Sequence, residues 1–229
     1  MPEPIGPAIK PGMHSRPSPA LARLIAGYHR FRDARWTPNR ERWASLRESQ
    51  KPEVMIIACS DSRVDPAQIF DVDPGEIFVV RNVAALVPPF ETNPGYHGVS
   101  AALEFAVQVL KVKEVIVMGH GMCGGCKAAL TRELHGTVPG EGGFIANWIG
   151  LLDSAREVIA ASHGTEGRPA ERAMEQAGVK VSIENLRTFP YVHRKEQEGE
   201  LRLRGAFFAI SDGVLHLLDE NDGSFAPVT

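Results

Sequence analysis

Three short apolar segments lack the alternation of polar and apolar residues that is typical of a half-exposed strand. They run VMIIACS at 54–60, EIFVVRN at 76–82 and EVIVMGH at 114–120. Strands of this kind are buried on both faces, as in a parallel sheet. Residues 98–113, between the second and third segments, are apolar nearly all round and long enough for a buried crossover helix. The pattern predicts a βαβ unit.

Helical spacing predominates on either side of these strands. Between 20 and 46 the apolar residues recur at helical spacing, which predicts two helices. Thr37-Pro38 offers a cap and a first-turn proline for the second of them. Further helices are expected near 144–162 and 168–198.

The two ends of the chain differ from its middle. Residues 200–219 are typical of a hairpin or an edge strand pair that turns at Asp212-Gly213. Residues 1–19 contain six prolines, which deny this segment the hydrogen bonds of a helix or a sheet. We therefore expect a proline-rich arm at 1–19 and a single domain at 20–229. The predicted fold class is α/β, with a central, mostly parallel β-sheet flanked by helices, an N-terminal helical arm and a C-terminal edge strand.

Composition and charge narrow the class of protein. The chain has 229 residues, of which 43% are hydrophobic and 23% charged, as in a soluble globular protein. With 25 Lys and Arg against 28 Asp and Glu, the net charge of −3 gives no basic field that would favour nucleic acid or an anionic membrane as partner. No apolar run is long enough for a transmembrane helix, and the N-terminus lacks the pattern of a signal peptide. We therefore expect the protein in the cytoplasm.

Three residues that can bind a metal stand at the ends of predicted strands. Cys59 ends the first strand, His120 ends the third, and Cys123 follows His120 by three residues. Ligands of open α/β sheets bind beyond the carboxyl ends of the strands. Two cysteines and a histidine form a known catalytic zinc set that leaves a fourth position open, and thiolates with an imidazole favour Zn²⁺ over Mg²⁺ or Ca²⁺. The spacing predicts a zinc site.

Two other interpretations of these residues stay open at this point. Cys59 and His120 could each be ordinary core residues. Cys123 and Cys126 form a C-x-x-C pair beside a βαβ pattern, which is the arrangement of thiol redox proteins. A redox pair would leave Cys59 and His120 without a role, so we interpret Cys126 as a free thiol packed on the first turn of the following helix.

An aspartate and an arginine follow the first cysteine in the sequence CSDSR. A carboxylate so close to a metal must either bind it or be held away from it. The Arg63 guanidinium can hold Asp61 through a bidentate, charge-assisted pair. Asp61 held in this way would accept a hydrogen bond from the reacting water and orient it towards substrate, whereas a released Asp61 would take the fourth metal position and close the site.

Taken together, three motifs resemble those of the β-class carbonic anhydrases. They are CSDSR at 59–63, FVVRNVAALVPP at 78–89 and GHGMCGG at 119–125. The resemblance runs from about Gln50 to Lys127 and continues more loosely through the C-terminal half. Residues 20–229 are accordingly expected to form one catalytic domain of this type.

The resemblance implies reversible hydration of CO₂ to bicarbonate and a proton. It implies one Zn²⁺ per chain, held by Cys59, His120 and Cys123, and an Asp61–Arg63 pair with a catalytic role. It also implies a homodimer or a dimer of dimers, with each active site at the subunit boundary.

The family has an open form and an allosteric form in which the aspartate closes the site. The allosteric form has Trp, Gly and Tyr where this chain has Ile56, Ala58 and Phe208, so we expect the open form. Asp61 would then bind the metal only if the site closed.

The resemblance also implies a small substrate pocket. Gln50, Phe78 and Val83 match positions that line it in the open form, with Gln50 reaching in from the neighbouring subunit, and Phe105 stands where Tyr is common. An apolar pocket suits CO₂, which offers no charge to bind, and Gln50 would donate to the oxygen that gains charge on attack.

Three rival functions remain. The same site could hydrolyse carbon disulfide or carbonyl sulfide, and the chain could be an inactive zinc-binding scaffold or a thiol oxidoreductase. A structural zinc site would be closed by a fourth Cys or His, which argues against the scaffold.

Overall fold

The computed structural model describes residues 17–229. Most of the expected proline-rich arm, residues 1–16, lies outside the described residues. The rest forms two compact units, one ending at Ser49 and one spanning Gln50–Thr229. Within residues 17–229, none of the helices is both long and apolar enough to cross a membrane.

The first unit contains the two helices that the apolar spacing predicts. Helix α1 spans Pro19–Phe31, continues into a π-helical turn at Arg32–Trp36, and is followed by α2 at Arg40–Glu48. The expected start of α2 at Thr37-Pro38 was wrong, because Thr37 still closes the π-helical turn. Asn39 is the residue before the first turn of α2, and its side chain donates to the Arg35 carbonyl at 2.8 Å.

The second unit is built on a six-stranded sheet. The strands are β1 Val54–Cys59, β2 Ile77–Asn82, β3 Glu114–His120, β4 Arg202–Ala209, β5 Val214–Leu218 and β6 Phe225–Pro227. Their order in the sheet is β2-β1-β3-β4-β5-β6. Strands β1, β2, β3 and β4 pair in parallel, whereas β5 and β6 are antiparallel additions at one edge. The predicted α/β class with a mostly parallel sheet is confirmed.

The hairpin is also confirmed, since β4 and β5 pair and Gly213 lies between them with a φ of 71°. Strands β1 and β3 are buried on both faces, as expected. Strand β2 is only partly buried, because it lies at the edge of the sheet, so the expectation of full burial was wrong there.

The crossover between β2 and β3 is helical but only one side of it is buried. Helix α4 at Gly98–Glu104 continues as a π-helical segment at Phe105–Leu110. Leu103 and Val107 are fully buried, whereas Phe105 and Val109 are exposed. The apolar pattern all round the helix therefore reflects an uncovered surface rather than burial on every side.

The remaining helices pack around the sheet. Helix α8 at Arg168–Arg187 is the longest helix within residues 17–229 and contacts β3 and β4. Its residues Val179, Ile183 and Leu186 lie in the main core with Met55 and Ile57 of β1. The helices of this unit not yet placed are α3 Pro66–Ile69, α5 Gly124–Thr131, α6 Gly143–Ile149, α7 Asp153–His163 and α9 Pro190–Gln197.

Candidate metal centre

The ends of two neighbouring parallel strands bring the three predicted ligands together. Cys59 ends β1 and His120 ends β3, the strand beside it. Cys123 is the residue immediately before the first turn of α5. All three side chains are buried, and their ligand atoms lie within 4.8 Å of one another.

The distances and the donor atoms fit zinc. The Sγ atoms of Cys59 and Cys123 are 4.0 Å apart. Zn–S bonds of about 2.3 Å in a tetrahedral site place two sulfur atoms about 3.8 Å apart. His120 Nδ1 lies 2.9 Å from the Gly121 carbonyl, which fixes the ring, while the buried Nε2 has no hydrogen-bond partner among the described residues. A bound metal would satisfy that nitrogen.

The two thiols hold their protons when no cation is present. The neighbouring Cys123 thiol and burial raise the pKa of Cys59 to about 12. A hydrogen bond with Cys126, together with burial, raises the pKa of Cys123 to about 12. For His120, burial alone would lower the pKa, but interaction with Cys59 outweighs it and the net change is upward. A divalent metal must therefore displace thiol protons when it binds.

The Asp61 carboxylate is held by three hydrogen bonds from Arg63. The backbone N–H and Nε of Arg63 both donate to Oδ1 at 2.9 Å, and Nη2 donates to Oδ2 at 2.7 Å. These bonds hold the pKa of Asp61 well below its usual range. Asp61 Oδ2 lies 4.0 Å from Nε2 of His120, so the paired carboxylate borders the candidate metal position.

Arg81 supports this loop, a role that was not predicted from the sequence. Its Nε donates to the Cys59 carbonyl at 2.8 Å and its Nη2 to the Asp61 carbonyl at 2.6 Å, while Nη1 pairs with Asp65. A charged residue near the end of an apolar strand was the available signal, because such a residue needs buried partners.

The expected pocket residues do not all meet within one chain. Val83 lies against the start of α5, where a Cβ added to Gly125 would come within 2.7 Å of its side chain. Phe78 and Phe105 contact each other, with ring centroids 5.9 Å apart. Gln50 is exposed and lies four residues before β1.

The other residues named from the sequence lie in the sheet and at the start of α5. Cys126 is a buried free thiol on the first turn of α5, as expected. Ile56 and Ala58 are fully buried in the sheet, and Phe208 pairs with His120 across β3 and β4.

Comparison with known proteins identifies the family. The family model described as "Carbonic anhydrase" matches residues 54–215. "Beta carbonic anhydrase 3" of Arabidopsis thaliana is 34% identical over 199 residues, which cover 86% of this chain and 76% of that protein. The chain belongs to the β-class carbonic anhydrases. "Beta carbonic anhydrase 6, mitochondrial", also of Arabidopsis thaliana, is 34% identical over 80% of this chain and 62% of that protein.

Solved structures of β-carbonic anhydrases share the fold. The β-carbonic anhydrase CcaA superimposes with a TM-score of 0.84 at 29% identity, covering 91% of this chain and all of that one. One of two tetrameric β-carbonic anhydrases from Sordaria macrospora gives a TM-score of 0.75 at 26% identity, covering 88% of this chain and 98% of that one.

Family membership gives the activity. The chain is a zinc lyase that catalyses the reversible hydration of carbon dioxide to bicarbonate and a proton. Cys59, His120 and Cys123 form a group that could hold the metal.

Proposed function

We propose that this carbonic anhydrase works through an open site in which Cys59, His120 and Cys123 hold the zinc ion. The observation that carries the proposal is the paired Asp61 carboxylate, which lies beside the three ligands yet is bound by Arg63. A carboxylate engaged in this way leaves the fourth metal position to water and substrate.

Each residue of the pair has its own role in the reaction. A bound Zn²⁺ supplies a water that is acidified enough to act as a nucleophile at moderate pH. With zinc bound, Asp61 would accept a hydrogen bond from the reacting water and so orient a lone pair of the water oxygen towards CO₂. Arg63 keeps Asp61 away from the metal and sets the plane of its carboxylate.

The substrate would meet the apolar side chains expected to line the pocket. Phe78 and Phe105 contact each other, and both Phe105 and Val83 are exposed. Together they would offer a surface without charge, which suits a small neutral molecule. Gln50 of a neighbouring subunit would donate a hydrogen bond to the oxygen that gains charge during the attack.

Replacement of Arg63 tests the roles of the pair. We expect Arg63→Ala to lower kcat/KM for CO₂ hydration by about 100-fold, because hydrogen-bonding groups around a metal site typically contribute 10- to 100-fold. The exposed Arg204→Ala on β4 is the matched control and should change kcat/KM less than threefold. Equal effects of the two substitutions would contradict the proposal.

We propose further that the protein assembles as a homodimer or a dimer of dimers. Exposed apolar residues on β2, on the turn that follows it and on the π-helical part of the crossover support this, namely Val79, Val83, Phe105 and Val109. The relative from Sordaria macrospora is described as tetrameric.

Light scattering on a sizing column tests the assembly. Val109 is 61% exposed, and Val109→Glu should reduce the assembly to smaller species. Val158 on α7 is 67% exposed, and Val158→Glu should leave the mass unchanged. A wild-type protein that elutes as a monomer would contradict the proposal.

For its compartment, we propose the cytoplasm. The three cysteines are free thiols, and thiol ligands persist best in a reducing compartment. Fractionation of cells that express the tagged chain should recover it with cytoplasmic markers, and recovery in an organelle would contradict this.

A further inference from the structure

The peptide group between Met122 and Cys123 is held at both of its ends. Its carbonyl oxygen accepts from Arg63 Nη2 at 3.0 Å, and its N–H donates to Glu175 Oε1 at 3.3 Å. Met122 has a φ of 58°, a backbone conformation that residues other than glycine rarely adopt. A disfavoured conformation of this kind persists where surrounding contacts impose it.

Glu175 is a buried carboxylate with a defined position. It lies on α8 and is 2% exposed. Its Oε1 accepts a hydrogen bond from Arg168 Nη1 at 3.1 Å, and its Oε2 accepts one from Arg168 Nη2 at 3.2 Å. Burial of a carboxylate is costly unless the group is paired and hydrogen-bonded. Arg168 and the Cys123 N–H supply these partners for Glu175.

Glu171 also pairs with Arg168, but it does not accept the N–H of Cys123. It lies one turn earlier on α8, accepts from Arg168 Nη1 at 2.7 Å, and pairs with Lys127 at 3.6 Å. The two acids therefore differ in one decisive respect, since only Glu175 accepts the N–H of Cys123.

We infer that Glu175 is a positioning residue for zinc, acting through the peptide group that precedes Cys123. Rotation of that peptide group would change the φ of Cys123 and with it the direction of the sulfur atom. The same rotation would withdraw the Met122 carbonyl from Arg63, so Glu175 also steadies the guanidinium that holds Asp61. The inference rests on the proposed role of Cys123 as a ligand.

Zinc release from the purified holoenzyme tests the inference. In wild type Oε1 of Glu175 accepts from both Arg168 Nη1 and the Cys123 N–H, while Oε2 accepts from Arg168 Nη2. Glu175→Gln replaces one of these oxygens by an NH₂ group, which cannot accept from Arg168, and removes the charge of the other, so the acceptor of the Cys123 N–H is held less firmly. We expect zinc to pass to an excess of a colorimetric chelator at least 10-fold faster than in wild type. Glu171→Gln, the matched control, should stay within threefold of wild type.

The spectrum of the cobalt-substituted enzyme would not change if Glu175 only stabilised the fold. The thiolate-to-cobalt charge-transfer band reports the geometry of the sulfur ligands. This band should shift in Glu175→Gln and coincide with wild type in Glu171→Gln. The inference would be overturned if Glu175→Gln released zinc at the same rate as Glu171→Gln and gave the same cobalt spectrum.

A second variant keeps the test decisive if Glu175→Gln does not fold. Arg168→Lys keeps the charge but cannot hold both carboxylate oxygens, and we expect it to release zinc at least threefold faster. An unchanged release rate there would also overturn the inference. Failure of the proposed function would look different, because the wild-type chain would then bind no stoichiometric metal.

Discussion

The pH dependence of zinc affinity should show how many thiol groups bind the metal. Cys59 and Cys123 have pKa values raised to about 12, so both are protonated at every pH between 7 and 9 in the metal-free protein. Zinc binds the thiolates, and each binding event must release two protons. Low pH therefore favours the metal-free protein, and affinity rises with pH.

The size of the effect follows from the number of protons. Two protons per metal make the association constant rise about 100-fold per pH unit, which is about 2.7 kcal/mol, since one proton per unit corresponds to about 1.36 kcal/mol. The pKa of His120 is also raised, so a third proton should steepen the slope further in acid.

Competition with a chelator of known proton affinity measures this slope between pH 7 and 9. Cys59→Ala should reduce it to about 10-fold per pH unit, because one thiol proton remains to be released. Cys126→Ser, which replaces the buried thiol outside the proposed ligand set but keeps a hydrogen-bonding group beside Cys123, should keep it near 100-fold. A slope that falls in Cys126→Ser and stays unchanged in Cys59→Ala would refute the assignment of the ligands.

Three further predictions concern packing and catalysis. Gly125→Ala should lower the free energy of unfolding by about 1–3 kcal/mol, because its Cβ would lie 2.7 Å from Val83, whereas Gly124→Ala meets no atom within 4 Å and should not destabilise the protein in denaturant titrations. Met118→Ala should cost about 2–5 kcal/mol in the same assay, since Met118 is fully buried, and exposed Val158→Ala should cost about 0.5 kcal/mol or less. The rate of CO₂ hydration should rise from pH 6 to pH 9. Two thiolate ligands would offset the charge of zinc, so the ion would lower the pKa of its bound water less than it does with neutral ligands. A flat pH profile would contradict this.

The sequence predicts the central strands well, and it places the candidate ligands at the ends of these strands, because both leave local signals. Apolar runs without alternation marked β1 and β3, and the residues that end them, Cys59 and His120, meet because parallel neighbours finish at the same edge. The start of α2 was missed because a π-helical turn carries the preceding helix to Trp36. No periodicity of apolar residues distinguishes such a turn from an α-helical one.

The supporting residues of the site were harder to predict because their contacts are distant in the chain. In the sequence, Glu175 resembles any other acidic residue on an amphipathic helix, and only the fold brings it to Cys123, 52 positions earlier. The exposure of Phe105 and Val109 could not be predicted from their apolar character. The centre of a subunit interface is apolar, as a protein core is, so the sequence does not distinguish the two.

The most direct test of the account is stopped-flow CO₂ hydration with a pH indicator at pH 8.5, on protein whose zinc content has been measured, beside Cys59→Ala. We expect fast hydration that is proportional to zinc content at about one zinc per chain and is lost in the variant. Stoichiometric zinc without hydration in the wild-type protein would contradict it.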